Sequence, residues 1–256
     1  MKARHALFFT VLATLGVNPL PAETTGQWIA KARTYLGTES DLNAVTCIHF
    51  SARLEGTEKV PAADDKTKEI DRPVSYPTEI IFQKPCQQQM ILTKPDAIIT
   101  TALDDYEGWS KTANAKDQKQ WRLTLLDAQQ VKQLRANTWE NLCFYAGIEK
   151  KGGHVQLLGD VTVDGVACVK LSFIHADNII FQRYFDKATG RLVKTETENG
   201  GEIREEGEVI VNGVRFPRKV INRAPNGQVT AIVIDKVVLN ERVPASEFAV
   251  PAMQPN

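Results

Sequence analysis

The chain has 256 residues, with 31 basic and 31 acidic side chains and 43% hydrophobic residues, enough apolar material to bury a full core in one unit. Its charges are interspersed rather than clustered, which excludes the concentrated basic surface that nucleic-acid binding needs. Four cysteines at long, irregular spacings, with no Cys-x-x-Cys pair, argue against a zinc or thioredoxin-like site.

The N-terminus reads as a secretory signal. Lys2 and Arg4 precede a run from Ala6 to Val17 that is apolar apart from Thr10 and Thr14, and the run ends at Pro19-Leu20-Pro21-Ala22. A basic start, a short apolar stretch and a small-residue cleavage site are the three parts of an export signal. A membrane anchor is the alternative, but a span needs about 20 apolar residues, and this run is shorter and broken at Asn18-Pro19. Residues 1–22 are therefore expected to be removed, leaving 23–256 as one domain, free in the periplasm and without a lipid anchor. In that oxidising compartment Cys47, Cys86, Cys143 and Cys168 could form two disulfides in any of three pairings, or remain as buried thiols.

The first expected element after residue 22 is a helix. Thr24 and Thr25 can cap it, Trp28, Ala32, Tyr35 and Leu36 form one stripe at helical spacing, and Gly37 stands where a left-handed terminator is wanted. A second helical turn is expected over Asp41–Ala44. From Val45 the period changes to two: Ile48, Phe50, Ala52 and Leu54 alternate with Cys47, His49, Ser51 and Arg53, a strand with one wet face. Residues Glu58 to Pro73 are charged and aperiodic and read as a mobile loop. Strands resume at Thr78–Gln83, Gln87–Thr93 and Ala97–Leu103, and Asp104–Gly108 reads as a turn into Trp109. A second long helix is expected over Asp127–Gly147, with Val131, Leu134, Thr138, Leu142 and Tyr145 on one side.

The C-terminal half carries turn signals about every dozen residues. They are Asp164-Gly165, Ala176-Asp177-Asn178, Lys187 to Gly190, Asn199-Gly200-Gly201, Asn212-Gly213 and Asn226-Gly227. Such pairs tolerate the positive φ of tight hairpins, so the pattern predicts successive antiparallel hairpins. The expected fold class is mainly β with two or three helices: a curled antiparallel sheet of roughly ten strands whose apolar face the helices cover. Two substantial helices look too few to fill so wide a sheet, which predicts an apolar interior open to a ligand.

Catalytic constellations are missing. There is no Gly-x-Ser-x-Gly, no His-Glu-x-x-His and no phosphate-binding glycine loop. His49, His154 and His175 are far apart, with no carboxylate at a recognisable spacing, and Asp104-Asp105 suits a turn better than acid–base work. No catalytic residue, metal or cofactor is expected.

Several local motifs resemble the LolA-like family of periplasmic lipoprotein carriers and its relatives LolB and RseB. They are Ala30-Lys31-Ala32-Arg33-Thr34-Tyr35-Leu36-Gly37 followed by Leu42-Asn43-Ala44-Val45; Asp105-Tyr106-Glu107-Gly108-Trp109; Phe185-Asp186 to Gly190-Arg191-Leu192; Val211-Asn212-Gly213-Val214-Arg215-Phe216-Pro217; and Asn240 with Phe248-Ala249-Val250-Pro251. Their order is more specific than any one of them. The resemblance implies a curved half-barrel whose concave face, covered by helices, holds acyl chains or lipidated polypeptides. By strand parity the cavity lining would include Phe50, Leu54, Met90, Leu92, Phe173 and Phe181, with Trp28, Tyr35 and Leu134 from the helices. Plain core packing is the competing reading for each. The implied partners are a lipid or an acylated lipoprotein and membrane-bound donor and acceptor proteins, with the chain itself monomeric. The rival is an RseB-like envelope-stress module that acts by protein contact without lipid transport.

Overall fold

A computed structural model describes residues 23–62, 67–176 and 178–252; the expected signal segment, residues 1–22, lies outside them. Helix α1 (Thr25–Leu36) starts at Thr24, whose hydroxyl accepts from the Gln27 amide while the Gln27 side chain takes the Thr24 N–H. That reciprocal pair satisfies two amides left without partners by the first turn. Its inner stripe holds Trp28, Ala32 and Arg33. The helix does not end in a left-handed glycine. Gly37 is extended (φ 165°), and a Cβ there would lie 2.7 Å from the Gly213 carbonyl oxygen, so glycine serves close approach to a hairpin turn instead. A shorter helix, α2 (Glu39–Ala44), is capped by Thr38.

Thirteen strands follow among the described residues: β1 (Cys47–Pro61), β2 (Glu69–Gln83), β3 (Gln87–Thr93), β4 (Ala97–Asp104), β5 (Glu107–Asn114) and β6 (Trp121–Leu125), then, after helix α3 (Ala128–Cys143), β7 (His154–Val163), β8 (Val166–Ala176), β9 (Ile179–Asp186), β10 (Leu192–Thr197), β11 (Glu202–Val211), β12 (Val214–Arg223) and β13 (Val229–Leu239). All belong to one open antiparallel sheet of order β6-β5-β4-β3-β2-β1-β13-β12-β11-β10-β9-β8-β7. The last strand returns to pair with the first, so β1 and β13 lie together at the centre and the two edges, β6 and β7, are joined in sequence through α3.

That connection requires the sheet to curl. Nine strand spacings separate β5 from β9 in this order, about 43 Å if the sheet were flat. Yet α3, a helix about 24 Å long, packs on β2, β3, β4, β5 and β9 together. The two flanks must bend toward each other around it, giving a half-barrel with the helices on its concave side.

Three further expectations need correction. Within Glu58–Pro73, Glu58–Pro61 and Glu69–Pro73 are strand rather than loop: β1 runs to Pro61 and β2 starts at Glu69, paired in register from Cys47↔Gln83 to Pro61↔Glu69, with residues 63–66 outside the described ones. Glu69–Pro73 is exposed throughout and Glu58–Pro61 reaches only half-burial at alternate positions, so no buried apolar pattern marks either as strand. The sheet also has more strands than the ten expected. Third, the helix predicted to reach Gly147 stops at Cys143, because Phe144 and Tyr145 both take positive φ (47° and 71°). That break sends the Phe144 ring into one core cluster and the Tyr145 ring into another.

The core sits between sheet and helices in two main clusters. One gathers Trp28 and Ala32 from α1, Ala136 and Trp139 from α3, and Phe173, Phe181 and Phe185 from β8 and β9. The other gathers Leu42 and Val45, Leu142 and Phe144, and Ile48, Phe50, Ile80, Phe82 and Phe216 from the sheet. The residues after β13 cross the convex face, where Phe248 is fully buried and its carbonyl accepts from the Trp109 indole at 2.8 Å. Of the two cysteine readings, free thiols are found: Cys47, Cys86 and Cys168 are buried and Cys143 is half-buried. Burial raises all four, Cys47 to about 11 with help from Glu241, which leaves little reactive thiolate at neutral pH. No helix among the described residues is long and apolar enough to cross a membrane.

Candidate functional site

The concave face is covered unevenly. Three rows of paired side chains cross it, each fixed by register. The first runs Met90–Ile80–Phe50–Val237, the second Ile99–Leu92–Thr78–Ala52–Ile234, and the third Tyr76–Leu54–Ile232–Val220–Glu205. Ile80 and Phe50 are buried in the cluster that holds Leu42 and Leu142 of the helices. Leu54, Met90, Leu92, Ile99, Val220 and Ile232 are only half-buried. Together they form an apolar band from β4 to β12, five strand spacings or about 24 Å wide. An extended acyl chain spans one bilayer leaflet, about 15 Å, so the band can take one along its length. A polar group closes the third row at Tyr76, whose hydroxyl donates to Glu58 at 2.8 Å while Lys94 binds the same carboxylate at 2.8 Å.

The opposite flank of the interior holds a charged centre. Glu140 of α3 is buried, bonded to His175 at 2.7 Å and ion-paired with Arg183. The Arg183 guanidinium lies 4.8 Å from the ring centres of Tyr145 and Phe173, and its Nε is buried without a hydrogen-bond partner. Burial by itself pushes the Glu140 carboxyl up, but Arg183 and His175 outweigh it and hold the group below the ordinary carboxylate range. Glu205 has no such ion-pair partner among the described residues: burial raises its carboxyl, only partly opposed by Arg183 and Arg191.

Glu205 also faces a cavity of about 260 Å³ between the end of α1 and strands β10 to β12. Leu36, Leu192 and Phe216 supply its apolar wall, and Tyr35, Arg191, Glu208 and Arg215 its polar one. Tyr35 donates to Glu208 at 3.2 Å, and the Arg215 guanidinium covers its ring at 4.8 Å.

The sequence matches no protein-family model and no curated protein. Solved structures do match. A LolA superfamily protein from Nitrosomonas europaea superposes with a TM-score of 0.54 at 13% identity, covering 90% of this chain and 99% of the other. A putative outer membrane lipoprotein-sorting protein domain from Vibrio parahaemolyticus gives 0.54 at 10% identity, covering 86% and 95%. The fold is LolA-like. A DUF1329 family protein from Desulfovibrio piger shares it, with a TM-score of 0.53, 10% identity and coverage of 88% and 96%.

Within the LolA-like half-barrel the nine residues named from sequence fall into separate groups. Trp28, Phe173 and Phe181 are buried together in the cluster beside the charged centre. Phe50 is buried in the other cluster, with Met90 packed at its margin. Leu54, Met90 and Leu92 lie in the half-buried band, Tyr35 lines the cavity at the end of α1, and Leu134 packs on Cys86, Leu103 and Val131. The band thus draws together three of the nine, and Ile99, Val220 and Ile232 complete it.

The carboxylate partners of the histidines were not visible in the sequence. His49 sits between Glu79 (2.8 Å) and Glu241 (3.2 Å), 30 and 192 residues away. Ser51 donates to Glu79 rather than to that ring, so the trio has no hydroxyl held against a base. Asp104 and Asp105 are separate in role: Asp104 accepts from Gln87, and Asp105, at the β4–β5 turn, pairs with Arg135.

Proposed function

We propose that this chain is an exported, periplasmic carrier that holds the acyl part of a lipid or lipidated protein against the concave face of its half-barrel. The observation that carries this reading is the apolar band left half-buried beyond the helices, at the centre of a LolA-like sheet. Every buried methylene contributes about 0.8 kcal/mol, so even one long chain laid along the band gains substantially over water. The signal-like residues 1–22 support delivery to the periplasm, where 23–256 would act as one domain.

Displacement of a fluorescent sixteen-carbon fatty acid tests this. Leu54→Glu with Leu92→Glu places two charges on the band, where an unpaired charge against hydrocarbon costs several kcal/mol. This double variant should keep its melting temperature within a few degrees and lose affinity for the probe by about a hundred-fold. Equal binding by the variant and the parent would sink the reading. A parent that binds no acyl probe at all favours the RseB-like alternative, in which the same face meets protein.

A further inference from the structure

A second cavity, also about 260 Å³, opens where α3 crosses from one flank of the sheet to the other. It shares no lining residue with the concave band. Ala136 and Trp139 of α3 and Ala176 and Ile179 at the β8–β9 turn make its apolar wall, while Lys132, Arg135 and Lys151 stand around it. Arg135 is already committed, paired with Asp105 and stacked 3.7 Å from the Tyr106 ring centre. Lys132 and Lys151 are exposed and have no ion-pair partner among the described residues. The charge of Glu140 behind the wall is met by His175 and Arg183, so it does not oppose an anion here.

We propose that this cavity is a ligand site for a free, single-chain carboxylate of medium length, its tail between Trp139 and Ile179 and its head between Lys132 and Lys151. An apolar cavity of about 150 Å³ holds benzene; this one is larger, and takes one short chain rather than two. The proposal does not rest on the carrier reading, since the band and the cavity are separate.

Calorimetric titration of the protein with hexanoate, octanoate and decanoate, below their micelle concentrations, tests it, with decanol as the uncharged probe. Affinity rises about four-fold per methylene until the cavity is full. Lys132→Glu with Lys151→Glu weakens decanoate about ten-fold at low salt, less at high salt, and leaves decanol unchanged. Ala136→Phe fills the wall and removes both ligands; the lysine pair, being exposed, keeps the test decisive if that variant does not fold. The same lysine variant keeps its affinity for the sixteen-carbon probe, while the band variant keeps its affinity for decanoate. Decanoate binding that ignores the lysine reversal, or its absence from the parent, overturns the proposal. So does lysine-dependent flotation with phosphatidylglycerol vesicles without affinity for monomeric decanoate, which would place the anion in a membrane.

Discussion

Glu140 and Glu205 face the same interior and their carboxyls are shifted in opposite directions, so their substitutions should move stability in opposite directions. Glu140 is ionised against Arg183 and His175. Replacing one member of a buried pair leaves the other uncompensated, typically at 3–5 kcal/mol, so Glu140→Gln should lose about 3 kcal/mol in urea unfolding at neutral pH. Because the folded carboxyl is lowered, its stabilisation is complete above the unfolded carboxylate pKa and fades as pH falls through the lower folded value. The gap between parent and variant should therefore close in acid; a gap independent of pH would contradict the assignment. Glu205 has the reverse sign. Its carboxyl is raised by burial, so the folded state binds the proton more tightly and the charged form costs stability at neutral pH. Glu205→Gln should raise the melting temperature there, and the advantage should fade as pH drops through the raised value and vanish below the unfolded carboxylate value. A lower melting temperature at neutral pH would show that the charge is instead needed. Neither state was legible in the sequence, because Glu140 meets its partners only across 35 and 43 residues.

Elements whose signals are local were legible, and those defined by what packs on them were not. Five of the six turn signals of the C-terminal half fall between paired strands; in the other, Ala176 still belongs to β8 and Asp177 lies outside the described residues. The glycines of these turns carry the positive φ the hairpins need, and Asn212 and Gly213 take 48° and 79°. Strand β6 gave no signal. It is an edge with Trp121, Arg122, Thr124 and Leu125 all exposed, so neither face selects apolar residues. The end of α3 was misplaced for a related reason: Phe144 and Tyr145 continue a helical pattern in sequence, but tertiary contacts with two different clusters pull them out of it. Strand β8 supplies the direct test of where the core lies. Phe173 is fully buried between Tyr145 and Phe185, and Phe173→Ala should cost about 3–5 kcal/mol in chemical denaturation. A loss under about 1 kcal/mol would mean that this flank is loosely packed and open to ligand, and that the parity argument naming Phe173 as cavity lining deserves revival.

On the scale of the whole molecule, the sheet is long, open and curled, and its helices fill the two flanks more completely than sequence alone suggested. The expectation of an unfilled interior came from counting two helices against ten strands. The helices and the buried aromatic clusters fill much of that space, and the openings left among the described residues include the apolar band and cavities of about 260 Å³ at the end of α1 and beside α3. On the function proposed, carriage would use a surface near the sheet's centre, where Leu54, Leu92 and Ile232 remain half-buried. Such a surface should hold one chain in partial contact with water and release it without unfolding. The most direct measurement is native mass spectrometry of the protein purified without detergent from a bacterial periplasm, followed by organic extraction and lipid analysis. The expected result is a species carrying one acyl-bearing ligand, absent from the Leu54→Glu, Leu92→Glu variant. A ligand-free protein that also takes up no added fatty acid would contradict it.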